Sequence, residues 1–375
     1  MNDRKRGCIL KKVGILSFHK VINYGAVLQS YALNRTFREL GTKCEHIDYT
    51  AIKIKESYDP FVIKTRGDFH TLIDYVAGFT ANRLTEKRFN IFIGKYIPTS
   101  RNYTQETLND ARGKYDLLVC GSDQIWNTDL TGNDYAYFLN FDNSSKKASY
   151  AASFGKTSLS DDIKEQVKEC LDDFSIITVR EESASELLRE IVNNESTVVP
   201  DPVFLLHRNE WEKLCRGKRI VKEKYILLFI LHDNASTVEF AEKLSNNSNF
   251  KLISISNSIK RVGSSKKVKG CGPEEFLKLI RDAEYVITDS FHASAMSIIF
   301  NKKLYIGLKE GNLASLNTRI DTLAKKFQLR DRIIRKGMTI NESMNFDYIN
   351  NQLEKEKKFG RENIVKMISL VKSDE

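Results

Sequence analysis

Residues 11–49, KKVGILSFHKVINYGAVLQSYALNRTFRELGTKCEHIDY, predict a strand, a helix and a second strand in that order. The segment KKVGILSF is a short apolar run, whereas AVLQSYALNRTFREL places its apolar residues at helical spacing. Gly41 then stands where a residue in the left-handed conformation commonly ends a helix. A crossover of this length indicates a parallel pair of strands, so this first unit already favours an α/β fold.

The same alternation of strands and helices continues in two runs, which a charged stretch at 206–222 separates. Strand-like segments of the first run are YDLLVCG, KKASYAASFG and STVVPDPVFLL, and those of the second are YILLFIL, FKLISIS, EYVITDS and KKLYIGL. Residues 52–112 have a weaker pattern and predict helices that cover the sheet or lie beside the cleft. We therefore predict an α/β protein of two Rossmann-like domains, whose parallel sheets are covered on both sides and face a central cleft.

The predicted boundaries place an N-terminal domain at 1–210 and a C-terminal domain at 211–340. Arg180 then belongs to the first domain and His292 to the second. Residues 341–375 predict charged helices that could pack back on the N-terminal domain.

The composition is that of an ordinary globular protein, with 41% hydrophobic and 29% charged residues in 375. No apolar run approaches the roughly 20 residues that cross a bilayer, and the basic N-terminus lacks the features of a signal peptide, so we expect a cytoplasmic protein. The net charge of +10 suits anionic partners, but no nucleic-acid-binding motif accompanies it, and we expect no nucleic-acid partner. Six widely spaced cysteines and six scattered histidines predict neither a disulfide framework nor a metal site.

Ligand sites in such folds lie outside the carboxyl ends of the strands, so each junction between a strand and a helix is a candidate. At the first junction, Asn23, Tyr24 and Gly25 precede a helix whose free N–H groups favour an anion or a sugar hydroxyl. The glycine would let a ligand approach the backbone. The alternative is an ordinary helix start with a turn glycine and no ligand.

The segment GSDQIWN at 121–127 forms a second junction and combines side chains that commonly hold sugars. A hydroxyl, a carboxylate, amides and an aromatic face are supplied by Ser122, Asp123, Gln124, Trp126 and Asn127. The alternative is a capped helix beside a tryptophan of the core.

Arg180 follows an apolar strand in TVREES and precedes two acidic residues. It could form an ion pair with Glu181 or Glu182 at a helix start, which contributes little to stability where it is exposed. It could instead direct its guanidinium into the cleft and bind a carboxylate or a phosphate through two hydrogen bonds.

The segment VITDSFHASAMS at 286–297 places Asp289, Ser290 and His292 where a buried strand gives way to a helix. The free N–H groups at that helix start stabilise an anion, and an imidazole there suits general acid–base work near neutral pH. A single histidine is more often structural than catalytic, but its position at a junction facing the cleft favours the catalytic interpretation.

Taken together, INYGAVLQSYALNRTFRELG, LLVCGSDQIWN, ASYAASFG, TVREES, PDPVFLL and VITDSFHASAMSIIF resemble the motifs of the polysaccharide pyruvyl transferase family in order and spacing. The resemblance extends from about Val13 to about Leu308. It implies a two-domain fold similar to that of GT-B glycosyltransferases. It also implies phosphoenolpyruvate as the donor substrate, without a cofactor, and a sugar of a cell-surface glycan as the acceptor, on which two hydroxyls become bridged by a pyruvate ketal.

The resemblance implies that His292 is the acid and that Arg180 contacts the donor. From the chemistry of the reaction, we expect Asp123 to be a carboxylate that orients or deprotonates the acceptor. Donor contacts are then expected from Arg180, Asp289, Ser290, Phe291 and Arg319. Acceptor contacts are expected from Asn23, Tyr24, Gly25, Ser122, Gln124, Trp126 and Asn127.

This chain departs from some family members in one motif, because Ser290 and Phe291 stand where those members carry Arg-Leu before the histidine. A second cation for the donor would then come from Lys302, Lys303 or Arg319. We expect Arg180 and His292 to face one another across the gap between the two domains.

Two other functions are compatible with this architecture: a GT-B-like glycosyltransferase that uses a nucleotide sugar, and a non-catalytic carbohydrate-binding protein. For the pyruvyl transferase, galactose or an N-acetylhexosamine in a lipid-linked oligosaccharide is a plausible acceptor. The positive net charge would suit peripheral association with the inner face of the cytoplasmic membrane.

Overall fold

The computed structural model describes residues 11–58, 72–192, 195–232, 234–256, 262–309, 317–341 and 343–371. The first sheet has seven strands: β1 Lys12–Leu16, β2 Lys43–Asp48, β3 Thr99–Asn102, β4 Leu117–Cys120, β5 Lys146–Ala152, β6 Phe174–Val179 and β7 Ser196–Val198. The second has five: β8 Tyr225–Phe229, β9 Lys251–Ile255, β10 Lys266–Val268, β11 Tyr285–Thr288 and β12 Lys303–Ile306.

The helices alternate with these strands. They are α1 Tyr24–Glu39, α2 Ile52–Tyr58, α3 Leu72–Tyr96, α4 Thr128–Thr131, α5 Asp161–Leu171, α6 Glu182–Ile191, α7 Arg208–Leu214, α8 Ala235–Ser248, α9 Pro273–Asp282, α10 Phe291–Ile299, α11 Thr318–Lys326 and α12 Phe346–Ser369. None of the helices within the described ranges is both long enough and apolar enough to cross a bilayer.

Both sheets are parallel throughout their described pairs, which confirms the predicted α/β class. The strand orders are β3-β2-β1-β4-β5-β6-β7 and β10-β9-β8-β11-β12. The central strands β4 and β8 are buried at every position, as expected for sheets covered by helices on both faces. Their continuous apolar runs are the reason why the sequence pattern located them.

The short edge strand β3 lies in a region for which only helices were predicted, so that prediction was wrong at residues 99–102. Its sequence, TSRN, is polar and largely exposed, because an edge strand with one open side needs little apolar surface. The helical prediction for the same region holds at α3, which spans Leu72–Tyr96.

The chain passes from the first sheet to the second between residues 199 and 224 and returns along α12. Side chains of α12, among them Ile364 and Met367, pack with Val13 and Ile15 of β1 in one apolar cluster. The last helix therefore covers the first sheet although it follows the second in sequence.

The two domains meet along α1, whose residues Val27 and Leu28 share a core cluster with Phe276 and Met296 of the second domain. Tyr24, in the first turn of α1, stacks on Phe276 with ring centroids 4.3 Å apart. This packing turns the carboxyl ends of both sheets toward each other, where the candidate site residues lie.

Candidate active site

His292 lies in the first turn of α10, directly after β11. The side chain of Ser290 caps this helix by accepting the N–H of Ala293 at 3.4 Å. Helix α1 of the first domain approaches the imidazole so closely that a Cβ atom at Gly25 would overlap the ring. Gly25 and His292, predicted at separate junctions, are thus in direct contact across the domain interface.

Asp201 joins the histidine to the arginine that the sequence singled out. Its Oδ2 atom lies 3.1 Å from Nη1 of Arg180 and 3.4 Å from Nε2 of His292, although the latter contact lacks the alignment of a hydrogen bond. Its Oδ1 atom accepts the N–H of Val203, which fixes the carboxylate. Burial opposes ionisation of Asp201, but the charges of His292 and Arg180 outweigh it and lower its pKa to about 2.

Asp201 was not among the site residues predicted from the sequence. It was visible only as the acidic residue between two prolines in PDPVFLL, at the end of a strand. Nothing in that local pattern distinguishes a capping aspartate from one that faces a site in another domain.

Arg180 forms the predicted ion pair with Glu181, and its other nitrogens pair with two further carboxylates of the protein. Its Nε atom pairs with Glu181 at 3.4 Å, while Nη1 and Nη2 reach Asp201 and Asp123 at 3.1 and 3.4 Å. Burial opposes the charge, but Asp123, Glu181 and Asp201 outweigh it and raise the pKa of the guanidinium above its ordinary value. Phe291 lies beneath it, with 5.5 Å between the ring centroid and the guanidinium carbon.

Arg319, at the start of α11, supplies a second guanidinium from the other domain. Its Nη1 atom lies 3.8 Å from Oδ1 of Asp123, the same oxygen that Arg180 contacts. Burial, together with the nearby charge of Arg180, lowers the pKa of Arg319. Asp123 has a positive φ of 74°, and this turn after β4 aims its carboxylate between the two arginines.

The other two candidate cations lie elsewhere, so Lys302 and Lys303 do not fill the predicted role. Lys303 begins β12, and its Nζ contacts the hydroxyl of Tyr285 at the start of β11. His292 follows the carboxyl end of β11, whereas these two lysines lie at the amino end of the parallel strands. Of the three, only Arg319 reaches the cluster of charged side chains formed by Arg180, Asp123, Glu181, Asp201 and His292. This cluster is the charged centre of the site.

Asp289 was predicted as a donor contact, but its carboxylate is bonded within the second domain. Its carboxylate accepts the backbone N–H groups of Leu231 and His232 at 2.7 and 3.1 Å, and contacts Nδ1 of His232 at 3.1 Å. These bonds hold the loop after β8. The residue therefore supports the wall of the cleft rather than the centre itself.

Comparison with known proteins adds an independent observation. The sequence model of the family described as "Polysaccharide pyruvyl transferase" matches residues 23–306, which is most of the chain and includes Arg180, Asp201 and His292. The chain belongs to the polysaccharide pyruvyl transferase family. No curated protein matches it in sequence.

Solved structures resemble this transferase in fold. An enzyme from Listeria monocytogenes assigned as a UDP-N-acetylglucosamine 2-epimerase is 9% identical, with 96% of each chain covered and a TM-score of 0.50. The UDP-GlcNAc 2-epimerase from Neisseria meningitidis is 10% identical, with 96% of this chain and 99% of that chain covered and a TM-score of 0.49. The glycosyltransferase SnogD from Streptomyces nogalater is 9% identical, with coverage of 97% and 100% and a TM-score of 0.44. At these identities the likeness concerns the fold alone, and the likeness to the Listeria protein agrees with the predicted α/β fold of two parallel sheets.

The acceptor contacts predicted for the transferase at the first junction are largely used within the protein. Asn23 caps α1 by accepting the N–H of Ala26 at 3.2 Å. The hydroxyl of Tyr24 donates to the carbonyl of Cys271 at 2.9 Å, and its ring stacks on Phe276. Tyr24 therefore connects the two domains and is not free to bind a sugar.

The predicted acceptor contacts of the GSDQIWN segment are also largely used within the protein. Trp126 is fully buried and stacks on Phe138 with centroids 5.4 Å apart, so the alternative of a core tryptophan is the correct one. Asn127 caps α4 and donates to Gln124 at 3.2 Å. The hydroxyl of Ser122 is buried and lies 3.5 Å from Oδ2 of Asp201. Among these predicted acceptor contacts, Gln124 lines a cavity.

Two cavities of the transferase adjoin the charged centre. One of about 30 Å³ touches Arg180, Phe291 and Arg319, and has room for about two water molecules. The other, of about 360 Å³, shares two of its lining residues, Glu181 and Arg319, with the first. The described part of the chain contains no group of three or more His, Cys, Asp or Glu side chains suited to a metal ion.

Proposed function

We propose that this protein transfers a pyruvyl group from phosphoenolpyruvate to two hydroxyls of a surface-polysaccharide sugar, and that a ketal forms as phosphate leaves. The observation that carries the proposal is the convergence of Arg180 and His292 on one oxygen of Asp201, with Arg319 beside Asp123. Membership of the polysaccharide pyruvyl transferase family supports it.

The two guanidinium groups of the centre suit the donor. Phosphoenolpyruvate carries a carboxylate and a phosphate, and guanidinium groups bind both through paired hydrogen bonds. Arg180 and Arg319 come from different domains and meet at Asp123, so a donor bound by both would hold the domains together. The N-terminus of α10 adds a favourable dipole beside Ser290.

Binding of the donor requires a rearrangement, because the cavity that touches Arg180 and Arg319 is about 30 Å³. The donor anion must also compete with Asp123, Glu181 and Asp201 for the guanidinium groups. In our proposal the domains part to admit phosphoenolpyruvate and then close, with binding energy repaying the separation of these ion pairs.

The proposed chemistry needs one proton donor and no cofactor. His292 delivers a proton to the methylene carbon of the donor while the first acceptor hydroxyl adds at C2, and the proton that this hydroxyl loses leaves with the phosphate. Loss of phosphate leaves an oxocarbenium-like centre, which the second hydroxyl captures. The atoms balance as phosphoenolpyruvate plus a diol giving a ketal plus inorganic phosphate, since each hydroxyl loses one proton.

Asp123 fits the orienting role better than the role of a base. Burial opposes its ionisation, but Arg180, His292 and Arg319 outweigh it and lower the pKa of the carboxyl group. A carboxylate held in this way is a weak proton acceptor and a firm support for two arginines. In the proposal Asp123 therefore sets the positions of the guanidinium groups that hold the donor.

We further propose that the acceptor is a lipid-linked oligosaccharide and that the enzyme works at the inner, cytoplasmic face of the membrane that carries it. The net charge of +10 supports attraction to anionic lipid headgroups. A galactose or an N-acetylhexosamine of the repeat unit is the sugar that we expect to be modified.

Ligand-dependent unfolding distinguishes this function from that of a glycosyltransferase, which the fold alone does not exclude. Phosphoenolpyruvate should raise the unfolding midpoint of the full-length protein, whereas a panel of nucleotide sugars should not. Incubation with phosphoenolpyruvate and lipid-linked saccharides should then release phosphate and yield a product with the mass of a pyruvate ketal. Stabilisation by a nucleotide sugar, with no effect of phosphoenolpyruvate, would contradict the proposal.

A further inference from the structure

The cavity of about 360 Å³ lies between the two domains at the edge of the charged centre. Its first-domain wall consists of the loop after β5, with Lys156, Thr157 and Ser158, and of Glu181 and Ser183 around the start of α6. Arg319 closes it from the second domain. Among these residues Arg319 was predicted as a donor contact, and Gln124, which also lines the cavity, was predicted as an acceptor contact.

The lining of this cavity indicates the class of its ligand. Apart from Gly155, each residue that lines it has a polar side chain, and the neutral ones carry hydroxyl or amide groups. Such a surface satisfies hydrogen bonds of a polyol, whereas a nucleobase or an apolar ligand favours aromatic or aliphatic contacts. The volume is within the range of about 300–1,000 Å³ that is typical of small-molecule sites.

Two residues that line the cavity, Glu181 and Arg319, also form ion pairs with residues of the charged centre. Glu181 pairs with Arg180 at 3.4 Å, and its other oxygen accepts the hydroxyl of Ser153. Arg319 pairs with Asp123 at 3.8 Å. A ligand in the cavity would therefore direct its nearest hydroxyls toward the residues that hold the donor in our proposal.

Gly155 keeps one side of the cavity open to Gln124. It has a φ of +64°, and a Cβ atom there would lie 2.6 Å from Cδ of Gln124. The glycine thus lets the amide of Gln124 reach the cavity edge, where Asn127 holds it by a hydrogen bond of 3.2 Å. The loop after β5 and the GSDQIWN segment together shape this wall.

We infer that this cavity binds the acceptor saccharide, with one hexose ring between the loop at 155–158 and Arg319 and with the two hydroxyls to be bridged facing Glu181 and Arg319. The inference rests on the proposed function for the identity of the ligand as an acceptor. It assigns acceptor recognition mainly to the loop after β5 and the start of α6. Residues 23–25, expected to bind the acceptor, serve the domain interface instead.

Filling the cavity tests the assignment. Ser183→Trp and Thr157→Trp each place an indole in it, and Thr157 is exposed on a loop where a large side chain is tolerated. Asn209→Trp is the matched control, because Asn209 is exposed and lines a different cavity of about 320 Å³ between α7 and α12. Binding of methyl β-galactoside and methyl N-acetyl-β-glucosaminide to the full-length protein is measured by saturation-transfer NMR without phosphoenolpyruvate.

We expect the wild type and Asn209→Trp to bind at least one glycoside, and both cavity variants to lose at least tenfold in affinity. Unchanged binding in both cavity variants, or no glycoside binding by the wild type, would overturn the assignment. The two proposals can fail separately. If glycosides bind in the cavity but no phosphate is released from phosphoenolpyruvate, only the proposed pyruvyl transfer is contradicted. Phosphate release with the same acceptor KM in all four proteins would sink only the acceptor cavity.

Discussion

Gly25 of the first domain lies against the imidazole of His292 of the second, so closely that any side chain at position 25 would overlap the ring. The two residues are more than 260 positions apart and belong to different sheets. The contact limits the positions that the His292 ring can take, and it makes the placement of the proposed acid depend on how the domains dock.

Replacing Gly25 with alanine should therefore disturb both docking and catalysis. The methyl group must displace His292 or separate the domains, and overpacking of this kind typically costs about 1–3 kcal/mol. We expect at least a tenfold loss of kcat and a lower Tm. Gly94→Ala is the control, since a Cβ atom at that exposed helical position meets nothing within 4 Å. Normal turnover in Gly25→Ala would show that the contact is dispensable.

Replacing His292 with glutamine should reduce turnover about 100-fold or more if the imidazole is a general acid. Stabilisation by phosphoenolpyruvate should persist, because Arg180 and Arg319 remain. His207→Gln serves as the control, because this histidine lies outside the centre at the start of α7 with a largely exposed side chain. Near-normal turnover in a folded His292→Gln protein would remove this residue from the mechanism.

Replacing Arg319 with glutamine should weaken binding of phosphoenolpyruvate about tenfold or more, since a hydrogen bond to a charged group contributes about 1.5–3 kcal/mol. Lys303→Gln should leave binding unchanged, because Lys303 lies at the amino end of the strands, away from His292. Thermal shifts against phosphoenolpyruvate, without acceptor, give the two affinities. Equal losses in the two variants would argue against Arg319 as the second cation.

Replacing Asp201 with asparagine should destabilise the protein by about 3 kcal/mol, as is typical when one partner of a buried ion pair is removed. The change leaves Arg180 and His292 without the negative charge that they share. Asp129→Asn removes an exposed partner of Lys156 and should cost less than about 1 kcal/mol. Urea unfolding measures both values, and a cost for Asp201→Asn no larger than the control would contradict the assignment.

The difference in stability between the wild type and Asp201→Asn should depend on pH, because the Asp201 carboxylate titrates. The pKa of Asp201 is lowered from 3.8 to about 2 in the folded protein, so its contribution is present above pH 3.8 and is lost as the pH falls toward 2. Urea midpoints of the wild type and Asp201→Asn should therefore converge as the pH falls through this window. A difference between them that stays constant from pH 5 to pH 2 would count against the lowered pKa.

The sequence by itself determined the two parallel α/β units and the junctions that could carry chemistry. Buried parallel strands are continuous apolar runs, and helices have their own period, so both are visible in local patterns. Arg180 and His292 could be found for the same reason, because the end of such a strand is where side chains reach a cleft. The motifs around them also carried the family resemblance, which the family match confirms.

Only the tertiary structure decided which of these residues meet. Asp201 links Arg180 to His292, and Trp126 belongs to the core. Of the three candidates for the second cation, Arg319 is the one that lies beside Asp123. The polar edge strand β3 and the cavity beside the loop after β5 likewise left no local pattern. The physical reason is that such contacts depend on the docking of α1 against α9 and α10, and docking is set by packing between residues far apart in the chain, which local periodicity does not encode.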